Sequence, residues 1–533
     1  MTLEDSIKSN PYLGRYLQQF ERETGIVPDF YEHLSLDMRY LRRPNILYPV
    51  GDPIFIHVYK PEEAALYNVV EPTLDAQELK KYGEIKGLIF SKVPYVKPYE
   101  TKDEFISSLD RLYRDSIAIG PQPLLSIKRR VPIKRDQYAD IGYQLGRDVI
   151  AYGRLEGILR DPYIEDIHGI GTQRLFVHHK IFGLIETNVQ FGTDFELNDY
   201  LKRLSERCGR PVSDARPIID AALPEGERIN IIYSEDVSQK GASFTIRKFS
   251  EEPISFTQLV KWNTIDAREA AYLWICLEND MSVFMCGETA AGKTTTLNAL
   301  LSLVPLDSKL YSVEQTPEIR APQAAWQQLI TREAGPMESR VEMFDLLKAA
   351  LRSRPHYVIV GEIRGPEGAI TFQAMQTGHP VLSTFHSSSV AKMIQRLTGD
   401  PINVPVRYID NLNVALFQQM VYVGGNNERR CTAITEVLGY SATQGGVMTR
   451  NVFAWRPDTD THDFLGSYNS FVLEGKIAPR LGYDDPTLVY RDLEERTKIV
   501  QKMVDHNIFR RNEVDQVVDA YAKGGAGALP FSI

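Results

Sequence analysis

Cysteine is scarce in this chain: four in 533 residues, at 208, 276, 286 and 431. No two are spaced C-x-x-C, so neither a zinc site nor a redox dithiol is expected. Free thiols fit a reducing cytosol. Long apolar runs are also missing. No stretch reaches the roughly 18 apolar residues of a membrane helix, and the opening MTLEDSIKSNPY has no apolar signal segment. Positive charge is not in excess: 61 Lys+Arg stand against 70 Asp+Glu, a net of −9. Duplex nucleic acid, which asks for a basic footprint, is therefore not the expected partner. No internal repeat or long low-complexity block is found. What remains is an ordinary globular composition, 43% hydrophobic and 25% charged. The expected setting is the cytosol, with any membrane link made through a partner.

What the chain does have is Gly287-Glu288-Thr289-Ala290-Ala291-Gly292-Lys293-Thr294, a complete G-x-x-x-x-G-K-[ST] loop, followed by Thr295. The apolar run Ser282–Cys286 before it reads as a buried strand, and Thr295–Leu301 after it reads as a helix. A strand, a glycine-bounded loop and a helix let backbone N–H groups curl around a polyphosphate. The helix N-terminus adds positive partial charge. Lys293 is expected to reach the β/γ-phosphates, and the Thr294 hydroxyl to ligate Mg²⁺. A nucleoside triphosphate, ATP, is the expected ligand.

Around this loop the chain reads as alternating strand and helix from 256 onward, with strands at 282–286, 309–313, 357–361 and 381–385. That alternation predicts an α/β fold with a parallel sheet. Residues 140–247 mix helix and strand signals, an α+β pattern. Residues 1–45 look helical, with Tyr12, Leu13, Tyr16, Leu17 and Phe20 on one face. The expected divisions are a helical and mixed region at 1–120, an N-domain at 121–249 and a hinge at 250–255. An ATP-binding core at 256–440 and a mostly helical region at 441–533 complete them. The glycine-rich end, 524–530, is expected to be flexible. The basic run 128–135 is a candidate contact surface.

Ligands of parallel sheets sit at the carboxyl ends of the strands. The strand at 357–360 ends in Gly361-Glu362, so Glu362 is expected to serve Mg²⁺, the attacking water, or both. This rests on the strand standing beside the loop strand. The strand at 310–313 runs into Glu314 and Glu318, two carboxylates four apart that are suited to orienting water or Mg²⁺. The strand at 381–385 ends at His386 and is preceded by His379, and either imidazole could sense the γ-phosphate.

Four segments, GETAAGKTT (287–295), SVEQTPEIR (312–320), LRSRPHYVIVGEIRG (351–365) and TGHPVLSTFHS (377–387), resemble the Walker A, Asp-box, Walker B and His-box set of the type II/type IV secretion ATPases. Upstream, DPYIEDI (161–167), GRPVSDARPIIDAALPEGERIN (209–230) and FTIRKF (244–249) resemble that superfamily's N-domain and linker. The resemblance implies a RecA-like C-terminal ATPase domain, an α+β PAS-like N-terminal domain and a helical N-terminal extension. It implies arginine fingers at Arg216 and Arg228, and a nucleotide contact at Arg247. The tetracysteine module of many bacterial members is absent. YPVGDPIFIHVY (48–59) and YNVVEP (67–72) resemble the archaellum motor ATPase of euryarchaea. A member of that kind would be a homo-hexamer that hydrolyses ATP with Mg²⁺. It would act on a polytopic membrane platform protein with accessory motor proteins, from the cytoplasmic face of the membrane, without nucleic acid. The alternatives are an archaeal pilus or type II-like secretion ATPase, a RecA-like DNA-handling ATPase, and a nucleotide-gated scaffold. Gln315 stands where an Asp is commoner, which leaves Glu314 and Glu318 as the acids of that box.

Overall fold

Glycine ends the first helical segment. The computed structural model of the chain describes residues 2–532 apart from 36–37, 39–40, 62–63, 97–98, 121–128, 235, 249–252, 333–336 and 444. Helix Leu3–Ser9 ends at Asn10, and Pro11–Thr24 stops at Gly25, whose φ of 75° gives a left-handed cap. The helical opening expected to reach residue 45 therefore ends at 24, and strands take over. Tyr12, Leu13, Leu17 and Phe20 form its buried face.

The chain divides into two compact units, Met1–Phe249 and Ser250–Ile533. The first holds both the 1–120 and the 121–249 stretches, because one ten-stranded sheet draws strands from each. Leu66–Val70 pairs with Gly183–Thr187, joining the N-terminal meander to the later strands. Of the expected hinge, 250–252 lie outside the described residues. So does Lys128 of the basic run, whose Arg129, Arg130, Lys134 and Arg135 are exposed.

A buried polar knot ties this first unit together. Asp161 Oδ2 accepts from Tyr48 Oη at 2.7 Å and from Tyr67 Oη at 2.8 Å. His179 Nε2 lies 3.2 Å from Tyr48 Oη, while its Nδ1 accepts from the Ile181 amide at 3.1 Å. A second buried imidazole, His57, bridges Tyr16 Oη (2.7 Å) and Asn45 Oδ1 (2.8 Å). Burial pushes His57 down from 6.5 to about 4 and His179 to about 3. Both rings are thus neutral when folded, and the unfolded chain binds more protons below 6.5. Stability is full above that value and falls as pH drops. The expected slope is on the order of 1.4 kcal/mol per pH unit per histidine. Burial raises the Asp161 carboxyl in the same knot, which acts in the opposite sense, so denaturant midpoints of the wild type are compared with those of His57→Gln and His179→Gln at pH 7.0, 6.0 and 5.0. The same pH dependence in wild type and both variants would remove the role given to these rings.

The second unit carries a nine-stranded sheet. Its order is Trp326–Ile330, Leu310–Glu314, Tyr357–Glu362, Val381–Phe385, Val283–Gly287, Val414–Val423, Asn426–Ser441, Gly446–Arg456, Thr461–Phe464. The first six strands run parallel and the rest antiparallel. The loop strand Val283–Gly287 is buried along its whole length, as a run of apolar residues in a parallel sheet must be. The α/β reading with a parallel sheet holds. The Glu362 strand, however, is not beside the loop strand, because Val381–Phe385 lies between them. Strands also continue past 440, because glycine turns at 424–425 and 445, all at positive φ, fold the chain back as hairpins. Helix resumes only from Phe471–Ile477 onward, with Val489–Asp505 and Arg511–Gly524. The expected flexible end is docked instead. Leu529 and Phe531 pack on the core, and Phe531 stacks on His506 at 5.5 Å.

Candidate nucleotide site

The loop between Val283–Gly287 and helix Lys293–Leu300 takes its shape from two left-handed residues, Ala290 (φ 63°) and Gly292 (φ 93°). Gly287 is required by crowding: a Cβ there would come within 2.4 Å of the Gln418 carbonyl oxygen. Lys293 opens the helix, where its own amide and those after it lack helical partners. Its side chain is mostly buried, and burial pushes its ammonium below the usual lysine value. Nζ donates to the Glu288 carbonyl at 2.8 Å and faces His386 Nδ1 at 3.4 Å.

His386 connects the loop to Glu362. An ammonium only donates, so Nδ1 is the accepting nitrogen and the proton sits on Nε2. Burial lowers the imidazole's pKa, which favours this neutral form. Nε2 stands 3.1 Å from Glu362 Oε1 but off the line of a hydrogen bond, so Oε1 is buried without a donor. Oε2 is paired with Arg364 Nη2 at 2.5 Å. A bulge aims Glu362: the register slips between Val360 and Glu362, and Gly361 is the extra residue. A Cβ on Gly361 would press on Glu314 Cγ at 3.1 Å, and Thr384 Oγ1 holds its carbonyl at 2.6 Å.

Glu314 and Glu318 divide the work expected of them jointly. The Glu314 carboxylate is buried and already committed. Oε2 accepts from the amides of Glu318 (2.6 Å) and Ile319 (2.8 Å), and Oε1 from Gln328 (2.9 Å). Its burial raises its pKa. Glu314 thus fixes the turn that presents Glu318. Asn298, on the helix after the loop, accepts from the Arg320 amide (2.7 Å) and donates to the Glu318 carbonyl (2.9 Å). The Glu318 charge is felt by both Lys293 and Arg364. His379 is half-buried at the amino end of its strand, bonded to Thr377 Oγ1, away from the carboxyl-end rim that holds His386.

In the first unit, Arg228 and Arg247 are directly opposite on neighbouring strands. Asp220 lies 3.7 Å from Arg228, and Asp166 lies 3.0 Å from Arg247. Arg216 is exposed on the bend Ser213–Arg216. Three residues that sequence reasoning did not single out belong to the site. Asn298 braces the acidic turn, Arg364 pairs Glu362, and Arg396 donates to the His386 carbonyl. Arg364 lies two residues after the acid at the end of a strand, and that spacing was the available signal.

A parallel sheet with a phosphate loop on a central strand, an acid across from it and a histidine between them defines the class: a phosphate-loop α/β protein. The chain belongs to the type II/IV secretion system protein family, which it matches over residues 153–441. Uncharacterized protein MJ0900 of Methanocaldococcus jannaschii is 52% identical, covering 100% of this chain and 98% of its own. The type IV secretion system protein PtlH of Bordetella pertussis is 29% identical over 36% of this chain and 63% of its own. Among solved structures, the Legionella pneumophila ATPase DotB is 19% identical over 70% of this chain and 91% of its own, with a TM-score of 0.40. No helix among the described residues is long and apolar enough to cross a membrane.

Proposed function

We propose that the protein is a Mg²⁺-dependent ATPase that works as a hexameric motor of an archaeal surface filament. The observation that carries the ATPase reading is the chain of contacts Lys293–His386–Glu362. It joins a phosphate-binding ammonium to a carboxylate oxygen that lacks a donor. The γ-phosphate belongs between them, where Glu362 orients the attacking water and Glu318 adds a second acid. Family membership and the relatives named as type IV secretion proteins support the same reading.

Mg²⁺ fits the donor set. Glu362 Oε1 is buried and unpartnered, and the Thr294 hydroxyl is half-buried at the helix start. Among the described residues no cluster of three or more His, Cys, Asp or Glu could hold a metal. Mg²⁺ usually relies on one or two protein oxygens and on phosphates rather than on a protein cage. When bound, it neutralises charge on the phosphate oxygens. Arg216 and Arg228 are the cations we assign to the transferring phosphoryl group, and Arg247 to nucleotide contact. Their type suits that role, since charge there builds only in the transition state.

The archaellum, with a polytopic platform protein as recipient of the motion, is the filament we favour, on the N-terminal text at 48–72. A pilus or secretion pathway is the second reading, and neighbouring genes discriminate the two. The motor reading expects a ring whose assembly tightens with nucleotide, because ligand favours the state that binds it better. Light scattering with and without a slowly hydrolysed ATP analogue, at several protein concentrations, should show a shift toward six subunits. A monomer under every condition, with full ATPase activity, would overturn it.

A further inference from the structure

The strand Val414–Val423 runs parallel beside the loop strand, with Gln418 opposite Gly287. It turns at Gly424–Gly425 into Asn426–Ser441, which places Arg429 opposite Met420. This hairpin touches the phosphate loop and the helix after it at three points. The Gln418 carbonyl covers Gly287 so closely that no side chain fits there. The Gln418 amide donates to Thr296 Oγ1 at 2.8 Å, fully buried. Arg429 Nε donates to the Ala290 carbonyl at 3.0 Å, and its Cδ lies 3.2 Å from where a Cβ on Gly292 would stand.

The third contact has no evident structural purpose. Arg429 is exposed on its strand, and an arginine there ordinarily stays solvated. Instead it crosses from the hairpin to cap the carbonyl of the one non-glycine residue of the loop held at positive φ. A carbonyl left to itself there would compete with an anion for the amides around it. A guanidinium bonded to that carbonyl restrains the loop at its left-handed residue.

We propose that Arg429 is a positioning residue of the phosphate loop, preorganising it for nucleotide from the neighbouring hairpin. The inference rests on the nucleotide reading of the site. A loop set before binding spends no affinity on being ordered. Loss of the clamp should therefore weaken ADP and ATP alike, since both present a β-phosphate to the loop.

Calorimetric titration of the full chain with Mg-ADP and with a slowly hydrolysed ATP analogue tests this. Arg429→Ala should weaken both by about 10-fold or more, the scale of one charge-assisted hydrogen bond. Arg429→Lys should recover part of the loss, because an ammonium can reach the carbonyl but lacks the planar fork. Thermal midpoints without nucleotide should match the wild type. Equal affinities in wild type and Arg429→Ala would overturn the inference while leaving the nucleotide reading intact. A lowered midpoint with no recovery in Arg429→Lys would reduce Arg429 to a structural contact and overturn it as well. A wild type that binds neither nucleotide would overturn the reading beneath it.

Discussion

Lys293→Ala should leave the chain without measurable nucleotide affinity in the range where the wild type saturates. The ammonium is largely buried, and its environment already disfavours the charge. It is held there by a single backbone carbonyl and an imidazole nitrogen. A cation kept at that cost is placed for a polyanion. Removing it takes away a charged hydrogen bond inside a site screened from water. The expected loss is on the order of 100-fold or more, since deleting one partner of a desolvated charge pair costs roughly 2–5 kcal/mol. Fluorescent-nucleotide titration of the two proteins measures it. Tight binding by the variant would remove the loop from the site and with it the central claim.

Glu362→Gln should do the reverse, keeping nucleotide and losing turnover. The amide has the shape of the carboxylate but cannot take a proton from water or carry the charge that orients it. Hydrolysis should fall by about 10²-fold or more, the usual yield of a general base. Affinity should change little, because Lys293 and the loop amides are untouched. One complication is local. Arg364, paired with Oε2 at 2.5 Å, loses its counter-charge. The double variant Glu362→Gln with Arg364→Ala separates that effect from loss of the base. Reduced affinity with unchanged turnover per bound nucleotide would make Glu362 a binding residue.

The phosphate loop was legible because its grammar is local. Strand, glycines, lysine and hydroxyl are contiguous, and the structure sets them on one strand, loop and helix. Glu362 and His386 were legible for a related reason: each ends a strand that reads clearly, and parallel sheets gather such ends on one rim. The position of the Glu362 strand was misjudged by one place, since order in a sheet is set by packing across the whole chain. The different fates of Glu314 and Glu318 were also out of reach. Both acids follow the same strand, and only the fold of the turn decides which carboxylate is spent on backbone amides. His379 stands apart from His386 because a histidine before a strand and one after it lie at opposite ends of that strand. The hairpins beyond 440 were missed because their strands carry many polar residues and little apolar alternation. Arg429 lies 137 to 139 positions from the residues it touches, a separation no local pattern records.

The knot at Asp161 has a mechanical meaning. Two of its hydroxyls come from strands before residue 71, while the carboxylate and the imidazole come from beyond residue 160. Sliding one set of strands against the other would strand a buried carboxylate in a medium that cannot solvate it. The knot therefore resists sliding of the strands before residue 71 against the segment beyond residue 160, and the sheet they share runs on to the strands that carry Arg228 and Arg247, the second and third from its far end.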